Sequence, residues 1–218
     1  MKRIILLLTL AISVLNLHAQ STDTLPCIST HHFSNSQVIA PALLYYSGAA
    51  IALNPQLHQA IDYPIRDWAQ SDGHPRMRYD DYIQFVPIVS VYALNLCGVK
   101  SKHNFASLTT LGLGSGIILA GLTIPTKNIF RQERPCGNIF TSFPSGHTGT
   151  AFMGAEILRR EYGQEYPGIA IAGYTVATAV GAMRIYNNRH WASDVLAGAG
   201  FGILSASIMY WLAPYLTF

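Results

Sequence analysis

The chain contains 218 residues, of which 50% are hydrophobic and only 11% are charged. Soluble domains usually carry about 25% charged residues, so this composition predicts a membrane protein. The formal net charge of +3, with no run of basic residues, argues against a nucleic-acid-binding function. The length suits one domain with a single core.

The first nineteen residues have the pattern of an export signal. Lys2 and Arg3 form a charged start, residues 4–15 form the apolar run, and residues 17–19 offer a cleavage site before Gln20. An uncleaved anchor helix is the alternative. The shortness of the apolar run argues against it, because a membrane span needs roughly 20 residues.

The next part of the chain is predicted to be helical and to lie at the membrane surface. Residues 38–53 are apolar and helical in character. A full crossing by this segment after a cleaved signal would invert the site described below, so we predict that it lies against the bundle without spanning. Further on, Ile61, Ile65 and Trp68 recur at helical spacing, which is typical of an amphipathic interfacial helix.

Five further apolar segments follow. They cover residues 82–99, 106–124, 143–158, 169–183 and 195–212. Small residues recur four apart, Gly112 with Gly116 and Gly198 with Gly202, a spacing that lets helix backbones approach closely in lipid. The predicted fold is therefore an all-α integral membrane bundle of about five to six apolar helices.

Three parts are predicted along the chain, and the basic residues predict their orientation. The parts are an export signal (1–19), a periplasmic or interfacial region (20–80) and a membrane-embedded core (81–218). Lys100 and Lys102 lie in one connection of the core, and Arg159 and Arg160 lie in another. Both connections are predicted to face the cytoplasm, which places the polar motifs on the periplasmic side.

The three cysteines are Cys27, Cys97 and Cys136. An odd number leaves at least one thiol free in an exported protein. Cys97 lies in an apolar segment and is predicted to pack there. Cys27 and Cys136 lie in polar stretches, where a disulfide between them and two free thiols are both open alternatives.

Three polar islands interrupt the apolar sequence. They are Lys127 with Arg134-Pro135, then Pro144-Ser145-Gly146-His147, then Arg184 with His190 and Asp194. Each island stands at the end of an apolar segment. Their ionisable side chains are therefore predicted to lie at a membrane boundary rather than inside a core.

The second and third islands contain groups suited to phosphate chemistry. His190 and Asp194 are four apart, so on a helix they would share a face, and a carboxylate fixes the tautomer of a neighbouring imidazole. Ser145 and Gly146 precede an apolar helical run, whose free N–H groups would cradle an anion beside His147. The simpler alternatives are a surface hydrogen bond for the pair and a helix cap for Ser145.

The basic residues of the first island also have two explanations. Lys127, Arg131 and Arg134 flank a membrane segment, where cations often anchor a helix at the interface. Arg184, however, stands at the end of another apolar segment on the same predicted side. Interfacial ionisable groups that converge with two histidines and an anion cradle indicate a functional site.

The three islands together resemble the type 2 phosphatidic acid phosphatase superfamily, whose site is shared with vanadium haloperoxidases. The resemblance rests on Lys-x6-Arg-Pro, Pro-Ser-Gly-His and Arg-x5-His-x3-Asp in this order, between residues 127 and 194. One departure is Met183, where the family usually has Ser before the Arg. That Ser is not a principal catalytic group.

This resemblance implies a role for each motif residue. His190 would attack phosphorus to form a phosphohistidine, Asp194 would orient His190, and His147 would act as acid and base. The phosphate oxygens would be held by Lys127, Arg134, Ser145, Gly146 and Arg184. No metal or other cofactor is implied. A zinc site from His147, His190 and Asp194 is conceivable by ligand type but would leave the three basic residues unexplained.

The expected function is a metal-independent phosphatase acting on a phosphomonoester of a membrane lipid at the periplasmic face of a bacterial inner membrane. Lipid A is favoured, with phosphatidylglycerophosphate, phosphatidic acid and undecaprenyl pyrophosphate as alternatives. The expected partners are the bilayer and its lipid, without nucleic acid or an obligate protein. The rival functions are a vanadate-dependent haloperoxidase, a non-catalytic lipid-binding protein and a soluble periplasmic acid phosphatase.

Overall fold

A computed structural model describes residues 35–73, 75 and 77–216. The predicted export signal (1–19) and Cys27 lie outside the described residues. The described helices are α1 (Asn35–Leu53), α2 (Pro55–Leu57), a π-helical turn (His58–Asp62), α3 (Tyr63–Ala69), α4 (Asp80–Ile83), α5 (Val86–Leu96), α6 (Phe105–Phe130), α7 (Gly146–Tyr162), α8 (Pro167–Tyr186), α9 (Ala192–Leu212) and a 3-10 turn (Ala213–Tyr215). No strand occurs in this part of the chain, so the all-α prediction is confirmed.

Three helices are long and apolar enough to cross a membrane. They are α6, α8 and the stretch Ala192–Tyr215 that contains α9. A fourth span results if Gln37–Leu53 and Pro55–Ala69, which meet at an angle of 92°, count as one broken crossing. With α5 and α7, these elements give a bundle of six longer helices, in agreement with the predicted five to six.

The chain turns sharply between α1 and α2. The Asn54 carboxamide oxygen accepts hydrogen bonds from Gln56 N at 2.9 Å and Leu57 N at 3.3 Å, and Pro55 occupies the first turn without losing an intrahelical bond. The helical path then continues through the π-helical turn into α3. The predicted helix around Ile61, Ile65 and Trp68 is therefore present, and its Trp68 side chain is 80% exposed. Its place at the membrane surface stays a prediction.

Helix α7 lies at the centre of the bundle. Its Met153, Ile157 and Tyr162 belong to the main core cluster, together with Leu108 of α6 and Phe201 of α9. Small residues on another side of α7 pack against α8 in a second cluster. Because α7 begins at Gly146, next to the second polar island, this packing fixes where that island lies.

Close backbone contact between α7 and α9 depends on two glycines. A Cβ atom at Gly198 would clash with the Ser145 carbonyl oxygen, and one at Gly202 would clash with the Gly149 carbonyl oxygen. The predicted close approach is confirmed for this pair. At the other pair no backbone lies close: a Cβ at Gly112 would meet the Tyr92 hydroxyl at 2.9 Å, and one at Gly116 would meet nothing within 4 Å.

We expect Gly202→Ala to destabilise the protein by about 1–3 kcal/mol, the usual range for overpacking a tight core. The added methyl has to push α7 and α9 apart, because its nearest neighbours are backbone atoms. The measurement is thermal unfolding in detergent. Gly116→Ala is the matched control, since the new methyl enters open space and alanine favours a helix. Equal melting temperatures for both variants would contradict the packing argument.

The segment predicted as one helix over residues 82–99 is broken. Helix α4 ends at Ile83 and α5 begins at Val86. Pro87 lies in the first turn of α5. Proline has no N–H and its ring collides with the carbonyl four residues earlier, so it prevents a continuous helix through Ile83. The break turns α4 toward the end of the bundle that carries the motifs.

The two basic connections meet at the opposite end of the bundle. His103, just after Lys102, donates its backbone N–H to the Glu161 carboxylate at 3.0 Å, and its Nδ1 lies 2.8 Å from the same carboxylate. This agrees with their predicted common side, while the compartment that they face stays a prediction. Cys97 at the end of α5 is exposed, so the prediction that it packs in the core is wrong.

Candidate active site

His190 lies in the short connection between α8 and α9, where the chain approaches the first turn of α9. Its Nδ1 is 3.3 Å from Oδ2 of Asp194, and both side chains are buried, at 2% and 0% exposure. The same oxygen accepts hydrogen bonds from the Trp191 backbone N–H at 2.8 Å and from the Ser142 hydroxyl. With Nδ1 engaged, Nε2 is the ring nitrogen left for chemistry.

The surroundings of His190 keep its ring neutral. Burial, followed by the nearby cations Lys127, Arg184 and Arg134, holds the pKa of His190 well below its usual value of 6.5. At neutral pH the Nε2 lone pair is therefore available. A buried, neutral imidazole oriented by a carboxylate has the arrangement of an activated nucleophile.

The second island forms the start of α7. Ser145 is the residue before the helix, and its hydroxyl oxygen accepts from the Thr148 hydroxyl at 2.9 Å. Its own N–H donates to the Asp194 backbone oxygen at 3.0 Å, which joins the second island to the His190–Asp194 pair. The first N–H groups of a helix have no intrahelical acceptor. Ser145 therefore caps the helix, and the N–H groups beginning at Gly146 can still receive an anion.

Two arginines bring unsatisfied donors to the site. The Nε atoms of Arg134 and Arg184 are buried and have no hydrogen-bond partner. Among the residues that the structure describes, the buried side-chain polar atoms without a partner, apart from Ser115 Oγ, belong to Gln132, Arg134, Arg184, Asn188, Arg189 and Asp194. Buried polar groups are normally paired. The unpaired ones are concentrated in residues 132–134, residues 184–189 and Asp194, which indicates a binding place for a polar ligand.

The Lys127 ammonium group lies against the loop before α7. Its ammonium group donates to three backbone oxygens, those of Thr141 at 2.7 Å, Ser142 at 3.3 Å and Pro144 at 2.6 Å. An ammonium group has three donors, so all of them are used within the protein. Lys127 therefore holds the loop before α7 in place and adds positive charge near His190, without a donor left for a phosphate oxygen.

Two acidic residues from α4 enter the site, and sequence reasoning missed both. Asp80 is 1% exposed and pairs with Nη1 of Arg184, and its other oxygen accepts from Asn187 Nδ2 at 3.1 Å. Asp81 Oδ1 lies 3.1 Å from Nε2 of His147 and 3.5 Å from Nη1 of Arg184. Asp81 lies 66 positions before His147, and Asp80 lies 104 positions before Arg184. No local sequence signal could have identified contacts over such separations.

A second acidic contact anchors the loop that carries His190 from the other side. Asp62 is buried and accepts from Ser193 through the backbone N–H at 2.9 Å and the hydroxyl at 2.6 Å. The Nδ1 atom of His58 lies 2.6 Å from the same carboxylate. The region before α4 therefore fixes the residues that flank His190.

The predicted residues thus lie at one end of the bundle around His190, with Lys127 as a brace rather than a free donor. Across the described ranges, no group of three or more His, Cys, Asp or Glu side chains is arranged to hold a metal ion. The zinc site considered from the sequence therefore has no matching cluster there. The arrangement suits a tetrahedral anion held between two guanidinium groups and a helix start, with a neutral imidazole behind it.

These helices and motif residues define the class of protein. Residues 107–218 match the family model described as the PAP2 superfamily, and the chain belongs to this family. The predicted resemblance is confirmed. The fold agrees as well. The crystal structure of Aquifex aeolicus LpxE matches with a TM-score of 0.53 at 23% identity, covering 68% of this chain and 94% of that chain.

Further relatives are similar over part of their length. The lipid A 1-phosphatase of Porphyromonas gingivalis is 41% identical over 143 residues, which is 65% of this chain and 32% of that protein. The bacitracin transport permease protein BcrC of Bacillus licheniformis is 38% identical over 96 residues, covering 44% of this chain and 43% of that protein. The match therefore spans less than half the length of either relative.

A second solved structure supports the same architecture. The first transmembrane PAP2 type phosphatidylglycerolphosphate phosphatase from Bacillus subtilis matches with a TM-score of 0.56 at 18% identity, over 82% of this chain and 98% of that chain. At these identities the two solved structures establish the fold alone. The Bacillus subtilis protein is described as transmembrane, in agreement with the candidate spans of this chain.

Proposed function

We propose that this protein is a metal-independent lipid phosphatase that removes a phosphomonoester from a membrane lipid through a phosphohistidine. The observation that carries the proposal is the buried His190–Asp194 pair, whose neutral ring lies among Arg134, Arg184 and the start of α7. This combination supplies a nucleophile together with fixed positive charge for the phosphate oxygens.

In the first step, Nε2 of His190 forms a bond to phosphorus as the bond from phosphorus to the lipid oxygen breaks. The leaving oxygen takes a proton from His147, so a lipid hydroxyl departs and a phosphohistidine remains. Asp194 stabilises the positive charge that develops on the ring. Arg134 and Arg184 stabilise the phosphate oxygens, and each such donor contributes about 100- to 1,000-fold in rate.

In the second step, a water oxygen attacks phosphorus as the bond to His190 breaks. His147, now neutral, accepts the proton that the water gives up. Inorganic phosphate is released, and both histidines return to their starting protonation states. The cations perform the charge neutralisation that Mg²⁺ performs in other phosphoryl-transfer enzymes.

Lipid A is the proposed substrate, and the periplasmic face of a bacterial inner membrane is the proposed location. The first is supported by the 41% identity to a lipid A 1-phosphatase. The second is supported by Lys100, in the connection between α5 and α6, and by Arg160, in the last turn of α7, since both lie at the end of the bundle opposite the site. In this arrangement residues 81–218 form the membrane-embedded core, and the region before them lies on the periplasmic or interfacial side.

The test uses purified protein in detergent with EDTA present. We expect phosphate release from lipid A to exceed release from phosphatidylglycerophosphate, phosphatidic acid and undecaprenyl pyrophosphate, and to be unaffected by EDTA. Preference for another lipid in the panel would overturn the lipid A assignment alone. Release that requires an added divalent ion, or halide oxidation that requires vanadate, would overturn the proposed mechanism. No release from any lipid by folded protein would favour a binding protein.

A further inference from the structure

A carboxylate outside the family motifs contacts the proposed acid. Asp81, in the first turn of α4, places Oδ1 3.1 Å from Nε2 of His147, the second residue of α7. Its other oxygen lies 3.4 Å from Nε of Arg78. Both partners of the contact are partly buried. The two residues are 66 positions apart, so the tertiary fold creates this pair.

The neighbours of Asp81 hold it in this place. Asp80, the preceding residue, is buried and fixed by Arg184 and Asn187. On the other side, the Gln84 carboxamide donates to the Asp81 backbone oxygen at 2.8 Å. The Asp81 side chain therefore projects from a backbone that is anchored on both sides.

The two carboxylates leave the phosphate-binding edge of Arg184 open. Asp80 and Asp81 both approach Nη1, whereas Nε of the same guanidinium is buried without a partner. A planar guanidinium presents separate edges to separate partners. Asp80 therefore holds one edge of Arg184, and the edge that carries Nε can receive a phosphate oxygen.

We propose that Asp81 is a positioning residue that orients His147 and maintains its protonated form for transfer to the leaving oxygen. This inference rests on the proposed function. With Nε2 directed at Asp81, Nδ1 is the nitrogen that gives its proton to the lipid oxygen as the bond to phosphorus breaks. The site then contains two histidine–carboxylate pairs that use opposite ring nitrogens. Asp194 engages Nδ1 of His190 and leaves Nε2 for attack, whereas Asp81 engages Nε2 of His147 and leaves Nδ1 for proton transfer.

The charged groups around His147 give the sign of the expected pH effect. Burial, and then the Arg184 guanidinium, lower the pKa of His147 below its ordinary value, whereas Asp81 and Asp80 raise it. His190, the other titratable ring of the site, is held neutral. Arg78 is an exposed cation that contacts the other oxygen of Asp81. Removal of the Asp81 charge therefore lowers the pKa of His147 further. The acid form is then lost at a lower pH.

The test compares Asp81→Asn with wild type on two substrates in detergent. One is the preferred lipid phosphate, whose leaving oxygen is that of an alcohol or a sugar and needs a proton to depart. The other is p-nitrophenyl phosphate, whose leaving group departs without one. We expect kcat/KM on the lipid to fall about 100-fold, the lower range for general acid catalysis, with little change in kcat/KM on the aryl ester. This ratio reports only the steps through phosphorylation, so the later role of His147 as a base does not enter it. The alkaline limb of the kcat/KM profile for the lipid moves to lower pH.

Glu165→Gln is the control, because Glu165 is an exposed carboxylate in the connection between α7 and α8, at the end of the bundle opposite the site. It keeps the wild-type rate and pH profile. Equal losses on both substrates with an unmoved alkaline limb would overturn the role of Asp81, and so would a wild-type rate on the lipid. Should wild type itself release no phosphate from any lipid, the proposed function fails rather than the placement of Asp81. The pH limb decides the question if the aryl ester is not turned over.

Discussion

Replacing His190 with alanine is expected to reduce phosphate release from the preferred lipid by about 10⁴-fold or more, as loss of a nucleophile does in other covalent enzymes. Alanine has no atom that can accept the phosphoryl group, and the other groups of the site can only polarise the substrate. The measurement is the initial rate in detergent, together with trapping of labelled phosphoenzyme at alkaline pH. The variant is expected to trap none.

His103→Ala is the control for this variant. His103 also contacts a buried carboxylate, that of Glu161, but at the opposite end of the bundle. Its replacement removes an imidazole of the same size without touching the site, so the rate is expected to stay near wild type. A His190→Ala protein that still releases phosphate at the wild-type rate would rule out the phosphohistidine. Unchanged lipid binding and no turnover by wild type would instead favour a binding protein.

Arg184→Lys is expected to lower kcat/KM by about 100- to 1,000-fold, the usual loss for one oxyanion donor. Lysine keeps the positive charge but loses the planar fork. In this protein the fork has two tasks, because Nη1 pairs with the buried Asp80 while Nε is left for a ligand. Lysine presents all its donors from one nitrogen rather than from the separate edges of a plane, so it cannot reproduce both contacts in the same geometry. The measurement is the steady-state rate on the preferred lipid, with melting temperature recorded in parallel.

The matched control is Arg159→Lys. Arg159 also uses two nitrogens, Nε at 2.8 Å and Nη2 at 2.7 Å, to bind the Glu156 carboxylate, but it does so at the far end of α7. Its replacement removes an equivalent fork and is expected to leave the rate within about twofold of wild type, since Arg159 lies far from the site and lysine keeps a positive charge beside the buried Glu156 carboxylate. Similar rate losses in both variants would mean that Arg184 acts through stability alone.

Much of the fold could be predicted from the sequence because apolar runs and the family motifs are local signals. The bundle and the start of α7 after Ser145 follow from these signals. Even so, the same kind of signal misled at Gly116. Glycine spacing shows that a close approach is allowed, whereas the actual neighbour depends on which face of α6 turns inward.

The site was predicted less completely, because its supporting contacts join distant parts of the chain. Asp80 and Asp81 belong to a strongly polar stretch that reads as a solvated surface, yet they pair with Arg184 and His147. Lys127 shows the converse. Its position in the motif implied a contact with phosphate, but three carbonyl oxygens of the following loop compete for its donors.

The acidic contacts from the first third of the described chain also bear on how members of this family can be recombined. The family match begins at residue 107, but Asp62 holds Ser193, and Asp80 holds Arg184 from outside that match. A chimera that joins the matched region to the leading segment of another protein would leave the buried Arg184 guanidinium and the buried Ser193 hydroxyl without these carboxylate partners. The homologous segment is thus not a transplantable module, and a working exchange has to carry the partners of both residues with it.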